Sequence, residues 1–352
     1  MVLALLAVTL ALGASGCGSS SSHGANATHA TASGGSAPVG PPPGWSSVDL
    51  STALSASSDA SAQQITALSC VSGPFCIAIA GNRSAVFDGR AFKPGPPLAA
   101  TGQPPPDVFA LSCSSSHFCL ALTRSNTYLI WDGSRWSNEM PVPGGTGAAG
   151  PNGLECPTDG RCLLIGDDGS DGQGSVINYT NGHWATVSVN PGNNILNELA
   201  CASANYCYLV GNSGDVLLFN GATWSQPIAL SVSDSQGSQD QIDSVACAPG
   251  PLCIGAGNLG GGMVIDRGHG FAPLPGVPQA LDAGPNDCGS ATFCSIWPSG
   301  PTLSFGYFDG QRYVSANPPP DVQRSTWACT PDRVCVASVA HSDKVLTYRA
   351  PE

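Results

Sequence analysis

The sequence predicts an all-β protein, a seven-bladed β-propeller with four antiparallel strands per blade, over residues 44–352. Three observations predict it. Fourteen of the fifteen cysteines form seven pairs, each with five residues between its members. Each pair opens the same succession of apolar runs and turns. The two ends of the chain carry complementary parts of one repeat.

The pairs are Cys70/Cys76, Cys113/Cys119, Cys156/Cys162, Cys201/Cys207, Cys247/Cys253, Cys288/Cys294 and Cys329/Cys335. Their first members are 43, 43, 45, 46, 41 and 41 residues apart. Self-similarity at this period marks a propeller blade of four strands. A short apolar segment leads into the first Cys, as in Ile65-Thr66-Ala67-Leu68-Ser69. An apolar run follows the second, as in Tyr208-Leu209-Val210. A third strand comes next, as in Val216-Leu217-Leu218-Phe219, and then a tight turn. The turns are Asp88-Gly89, Asp132-Gly133, Asn181-Gly182, Asn220-Gly221, Asp309-Gly310 and, in the fifth repeat, Arg267-Gly268. Asn-Gly and Asp-Gly suit a type I′ hairpin, which needs positive φ at both central residues. An aromatic opens the fourth strand: Phe92, Trp136, Trp184, Trp224, Phe271 or Tyr313. Each repeat thus reads as a meander A-B-C-D with the Cys pair across the A–B hairpin.

The seventh repeat ends at Val345-Leu346-Thr347-Tyr348-Arg349, with no aromatic fourth strand after it. The missing strand stands at 44–50, Gly44-Trp45-Ser46-Ser47-Val48-Asp49-Leu50. Its return to the last blade closes the ring as velcro and removes an open sheet edge. An open solenoid would need capping ends and no such exchange.

Composition agrees. Only 10% of residues are charged, and there are 44 Gly and 30 Pro, as many short strands and turns require. The net charge of −12 and twelve scattered Lys and Arg exclude a phosphate-binding footprint, so no nucleic-acid partner is expected.

Residues 1–16, MVLALLAVTLALGASG, read as a secretory signal, too short for a membrane span. Ala14-Ser15-Gly16-Cys17 resembles the lipobox of bacterial lipoproteins, although no Lys or Arg precedes the apolar run. The resemblance implies a lipid on Cys17, an extracytoplasmic address and membrane attachment through that lipid alone. The alternative is plain secretion. Residues 17–43 read as the lipidated Cys and a flexible tether, rich in Gly, Ser and Ala and then in Pro. His23 and His29 lie in it, with nothing to hold them together as metal ligands.

Exported proteins sit in a disulfide-permissive compartment, and zinc sites group four ligands, commonly with CxxC spacing. Seven local disulfides are therefore expected, each worth about 2 kcal/mol in the chain-entropy model. One anchor and seven staples account for all fifteen cysteines, so no thiol chemistry is expected.

The segment Asn220-Gly221-Ala222-Thr223-Trp224 resembles the Asp-box of sialidase-type (BNR) propellers, without that motif's extra residue before the Gly. The Cys-paired repeat as a whole resembles propellers of exported proteins of high-GC Gram-positive bacteria. Both resemblances imply the fold and leave activity open. Sialidases use an arginine triad, a Tyr and an Asp near the axis. Here no Arg falls on an innermost strand; Arg90 and Arg135 fall on outer turns, while Arg83 and Arg124 in B–C loops can reach the mouth. A GxSxG elbow is absent. His117, His183, His269 and His341 fall in four repeats at unrelated positions and make no metal set.

Three constellations stand as candidates. Asp167, Asp168 and Asp171 on a Gly-rich loop of blade three suit calcium, against a solvated turn; no other cofactor is expected. Glu155, Glu198, Asp243, Asp282 and Asp287 lie on or beside inner strands, where they make either an acidic channel for a cation or amine, or a hydrated one. Trp131, Trp297 and Trp327 break the repeat register. Trp327 replaces a core Leu, while Trp297, near a B–C loop, would stack on a sugar or peptide.

The A–B hairpins and C–D turns lie on one uniform face. The D–A and B–C connections lie on the other, with long segments at 94–107, 140–152, 228–242 and 314–324. Binding favours variable loops on a rigid scaffold. The sequence therefore reads as a monomeric binding scaffold for a protein, peptide or glycan. The alternatives are a glycoside hydrolase or lyase with carboxylates at the channel mouth, and an envelope-complex assembly factor.

Overall fold

The structure, a computed structural model, describes residues 44–54, 64–71, 75–143, 153–167, 174–189, 196–211, 214–233, 239–257, 262–277, 283–298, 305–317, 326–339 and 342–351. Cys17, the tether with His23 and His29, Asp168, Asp171, Asp282 and His341 lie outside them.

Seven four-stranded antiparallel blades are present, and no α-helix occurs among the described residues. The chain opens with β1 (Gly44–Asp49). Blade one holds β2 (Ala67–Val71), β3 (Phe75–Ala80), β4 (Arg83–Phe87) and β5 (Phe92–Pro94). Blade two holds β6 (Val108–Ser115), β7 (Phe118–Thr123), β8 (Thr127–Trp131) and β9 (Met140–Pro141). Blade three holds β10 (Leu154–Thr158), β11 (Arg161–Asp167), β12 (Gly174–Thr180) and β13 (His183–Ser188). Blade four holds β14 (Leu196–Ser203), β15 (Tyr206–Gly211), β16 (Asp215–Phe219) and β17 (Ile228–Ala229). An additional short strand, β18 (Ser231–Ser233), pairs with the start of β19 (Gln239–Ala248). Blade five continues with β20 (Leu252–Gly257), β21 (Met263–Asp266) and β22 (Phe271–Pro273). Blade six holds β23 (Ala283–Ser290), β24 (Phe293–Pro298), β25 (Gly306–Phe308) and β26 (Tyr313–Ser315). Blade seven holds β27 (Trp327–Cys329), β28 (Val334–Ser338), β29 (Lys344–Arg349) and, as its outer strand, β1.

The ring closes as expected. Trp45 pairs with Tyr348 and Val48 with Val345 across β1 and β29. The Trp45 indole packs edge-on against Phe305 and Trp327 and donates its N–H to the Asn317 carbonyl at 2.8 Å.

The second strand of each blade explains the apolar runs of the sequence. The strand β20 is buried throughout, and β3, β7 and β15 are buried after their first residue, because each blade is sandwiched between two others. One such interface holds Ile77, Ile79, Leu98, Val108, Ala121, Leu129, Trp131 and Trp136.

All seven expected disulfides form across the A–B hairpins, with Cα–Cα distances of 3.9–4.1 Å. They join Cys70 to Cys76, Cys113 to Cys119, Cys156 to Cys162 and Cys201 to Cys207. The other three join Cys247 to Cys253, Cys288 to Cys294 and Cys329 to Cys335. The second member of each pair is the second residue of its blade's second strand. Cys76, Cys119, Cys162, Cys207, Cys253, Cys294 and Cys335 are accordingly all buried between blades. These sulfurs belong to the packed core and not to any surface a ligand could reach.

Five of the six tight turns differ from the type I′ expectation. Both central residues have positive φ only at Asn181 (48°) and Gly182 (89°). Elsewhere only the Gly does, and the preceding acid or amide holds the turn with its side chain. Asp132 Oδ1 accepts from the Ser134 and Arg135 amides, and Asn220 Oδ1 from those of Ala222 and Thr223. An Asx side chain that supplies this acceptor removes the need for a second left-handed residue. These glycines also rest on the A–B hairpin of their own blade. A Cβ on Gly133 would fall 2.9 Å from His117 Cδ2, and one on Gly221 2.7 Å from Asn205 Oδ1. The uniform face is thus built from hairpins and turns in contact.

Candidate functional site

The inner strands of all seven blades, β2, β6, β10, β14, β19, β23 and β27, line one axial cavity of about 570 Å³. Four carboxylates stand on its wall: Glu155, Glu198, Asp243 and Asp287. No Lys, Arg or His is among its lining residues. Phe109 and Trp327 are its aromatic members.

Four of the wall's polar side chains have partners in the neighbouring blade. Ser69 Oγ accepts from the Cys113 amide at 3.0 Å, and Ser112 Oγ from the Cys156 amide at 2.9 Å. Asp287 Oδ2 accepts from the Cys329 amide at 2.6 Å and its Oδ1 from the Cys288 amide at 2.8 Å. Glu198 Oε2 accepts from the Val245 amide at 2.8 Å. Four of these bonds tie an inner strand to that of the next blade, where a blade's own ladder cannot reach. Ser69, Ser112 and Asp287 hold the same place, immediately before the first Cys of the repeat.

Glu155 holds that place in blade three. There β10 carries a bulge between Glu155 and Thr158. Among the described residues no donor reaches the Glu155 carboxyl. Burial and, secondarily, the Asp287 charge push its pKa up to about 8. Asp287 is also raised by burial, but only to about 6, because its two amide donors favour the charged form. Of the two, Glu155 therefore holds its proton at neutral pH.

The other candidate residues are not brought to this cavity. Arg83 opens β4, donates through Nη1 to the Leu54 carbonyl at 2.6 Å, and lines a separate pocket of about 420 Å³ with Pro94, Pro97 and Pro105. Arg124 is exposed at the end of β7, paired with Asp107 at 3.6 Å. Its guanidinium lies 5.3 Å from the Phe109 ring centre, at the margin of the cavity. Trp297, expected near a loop and open to a ligand, is 4% exposed. It packs against Phe305 and Trp327, because β24 runs on through Pro298 and carries the indole into the interface with blade seven. Trp131 is buried as well, and half-buried Trp327 joins the aromatic cluster while lining the cavity. Asp167 closes β11, and its companions Asp168 and Asp171 are outside the described residues. Among the described residues no three His, Cys, Asp or Glu stand together as metal ligands.

One buried group was not singled out from the sequence. Opposite the second Cys, each other blade places an aromatic: Phe87, Trp131, Tyr179, Phe219, Phe308 or Tyr348. Blade five places Asp266 there, opposite Cys253 and fully buried. Its Oδ2 accepts from the hydroxyls of Tyr208, at 2.7 Å, and Tyr206 in the adjacent blade. Its Oδ1 accepts from the amides of Gly268, His269 and Gly270. These bonds hold its pKa below the ordinary carboxylate value despite burial. The signal was in the repeat register, since the fifth turn reads Asp266-Arg267-Gly268 where others read Asp-Gly or Asn-Gly. The network is a polar plug between blades four and five.

No protein-family profile matches the sequence, and no match is found among curated proteins. Solved structures share the fold. YCF48 bound to D1 peptide is 13% identical at a TM-score of 0.58, covering 87% of this chain and 97% of that one. Virginiamycin B lyase from Staphylococcus aureus is 10% identical at 0.58, covering 87% and 99%. The WD40 β-propeller domain of Doa1 is 10% identical at 0.57, covering 82% and 94%. At these identities the likeness shows a propeller and leaves activity open.

Proposed function

We propose that this protein is an extracytoplasmic, lipid-anchored propeller that binds a protein or peptide on the face carrying the D–A and B–C loops. The apolar run 1–16 and the lipobox-like Cys17 support the address. The observation that carries the binding reading is the use of the wall. Of four carboxylates on the cavity, Asp287 and Glu198 accept amides of neighbouring blades, so the acids serve the scaffold rather than converge as a reacting pair. A rigid ring with an axial cavity and loops at its mouth is the arrangement of a binding scaffold. That a peptide is bound in the YCF48 structure fits the same reading.

Pull-down from a cell-envelope extract tests it. Arg124→Ala on the loop face is expected to release the partner, while Arg90→Ala with Arg135→Ala on the uniform face retains it. The reverse pattern contradicts the proposal.

A second reading, catalysis, is favoured by one observation. A carboxyl whose pKa is pushed up to about 8 on a cavity wall, as that of Glu155 is, has the property a general acid needs. It requires hydrolase or lyase turnover of a substrate such as a glycoside that Glu155→Gln abolishes without loss of substrate binding.

A further inference from the structure

The axial cavity differs from the rest of the wall at one point. Ser69, Ser112, Glu198 and Asp287 commit their oxygens to backbone amides. Glu155 lines the same cavity with no donor among the described residues. Burial makes this carboxyl costly to ionise, and a cation supplied from outside offsets that cost. The wall also carries three further acids, Glu198 on β14, Asp243 on β19 and Asp287 on β23, and no base. Among the lining residues, β2, β6 and β27 contribute no titratable group apart from disulfide-bonded cysteines. Arg124 stands at the margin, already paired with Asp107 and stacked on Phe109.

We propose that the axial cavity receives one basic side chain of the bound peptide or protein, with Glu155 as its counter-ion and Phe109 and Trp327 beside its alkyl stem. This rests on the binding reading above and names the chemistry that reading would recognise. The cavity, about 570 Å³, has room for one extended lysine or arginine side chain and a few waters. Aromatic walls suit an alkylammonium, through contact with its methylenes and attraction to its charge. A strictly apolar side chain leaves Glu155 unpaired and gains nothing from the other acids.

The empty site stores a proton. With its pKa pushed up to about 8, Glu155 is neutral in the empty cavity at pH 7. An arriving cation favours the charged carboxylate, so binding expels that proton. Affinity rises with pH up to about 8 and falls by up to about tenfold per unit below it. Exposed carboxylates that attract a cation at the surface release no proton at pH 7, so the linkage separates the two cases.

Calorimetry on the full, oxidised chain tests this with Nα-acetyl-lysine methylamide, its neutral norleucine analogue and n-butylamine, in buffers of different ionisation enthalpy. The lysine amide is expected to bind at pH 8 with loss of affinity toward pH 6, to release close to one proton at pH 7, and to weaken at least tenfold in Glu155→Gln. Thermal unfolding of that variant, expected to be no lower than wild type, shows that the loss belongs to the site. Equal binding by Glu155→Gln, binding of the norleucine analogue, or binding without proton release overturns the proposal. Butylamine binding as tightly as the lysine amide overturns the peptide as source and assigns the site to a free amine. An envelope partner held equally by wild type and Glu155→Gln also overturns the proposal while the binding reading stands. Lysine binding through Glu155 with no partner captured removes that reading and leaves the cation site.

Discussion

Asp287 in blade six and Glu155 in blade three occupy the same place in their repeats, yet the structure treats them differently. Asp287 spans to the next blade and accepts two amides, one from Cys329 and one from Cys288. Glu155 is one methylene longer, follows a different inner-strand path and accepts none among the described residues. The same ring position is a staple on one side of the axis and an unpaired acid on the other. The difference teaches that an acid in a propeller channel is not by itself a binding group. Its meaning depends on whether the neighbouring strand presents an amide to it.

The largest expected effect breaks the staple. Asp287→Ala leaves the Cys288 and Cys329 amides without their acceptor, which is expected to cost about 2–4 kcal/mol in chemical unfolding. Asp287→Asn keeps one acceptor and is expected to lose less. A cost for Asp287→Ala below that of an exposed substitution would remove the staple from the comparison.

The next effect sharpens the contrast through pH. Both acids have folded pKa values above their ordinary ones, so each contributes stability at low pH that is lost as pH rises. For Asp287 the loss runs from about 3.8 to about 6, and for Glu155 from about 4.5 to about 8. Wild-type stability is therefore expected to fall between pH 6 and pH 8, and Glu155→Gln to flatten that part of the curve. Unfolding free energies measured across pH 5–8 check this; an unchanged slope in the variant contradicts it.

The smallest effect concerns the neutral staples. Ser69→Ala and Ser112→Ala each remove one bond between blades and are expected to cost about 1 kcal/mol. Their sum in the double variant should be additive to a few tenths of a kcal/mol only if the two do not couple through β6, which they share.

Much of this was legible in the sequence. The Cys spacing, repeated seven times, the turn glycines, repeated six times, and the complementary chain ends gave seven blades, seven disulfides and the closing strand, since each is a local pattern in the chain. The turn type was less legible. Side-chain capping by Asp132 or Asn220 competes with a second positive φ, and both use the same residues. The site was legible only in outline. Glu155, Glu198, Asp243 and Asp287 were readable as channel residues from their position near the first Cys. Which of them would be bonded was not, because the donor belongs to another blade, distant in the chain. Trp297 shows the same limit, since its burial depends on Phe305 and Trp327 beyond its own strand. Asp266 marks the opposite case, a departure visible in the register whose partners, Tyr206 and Tyr208, lie one blade back.

The chain contains four glutamates, Glu139, Glu155, Glu198 and Glu352, so carboxyl NMR of glutamate-labelled protein resolves each one. A titration with Glu155→Gln as the assignment control measures the central contrast directly. Glu155 is expected to titrate near 8 in the free protein, to fall part of the way toward 4.5 in Asp287→Asn, and to fall further when a lysine side chain is bound. A Glu155 that titrates close to its ordinary value of 4.5 in the free protein would contradict the unpaired, enclosed carboxyl on which the contrast stands.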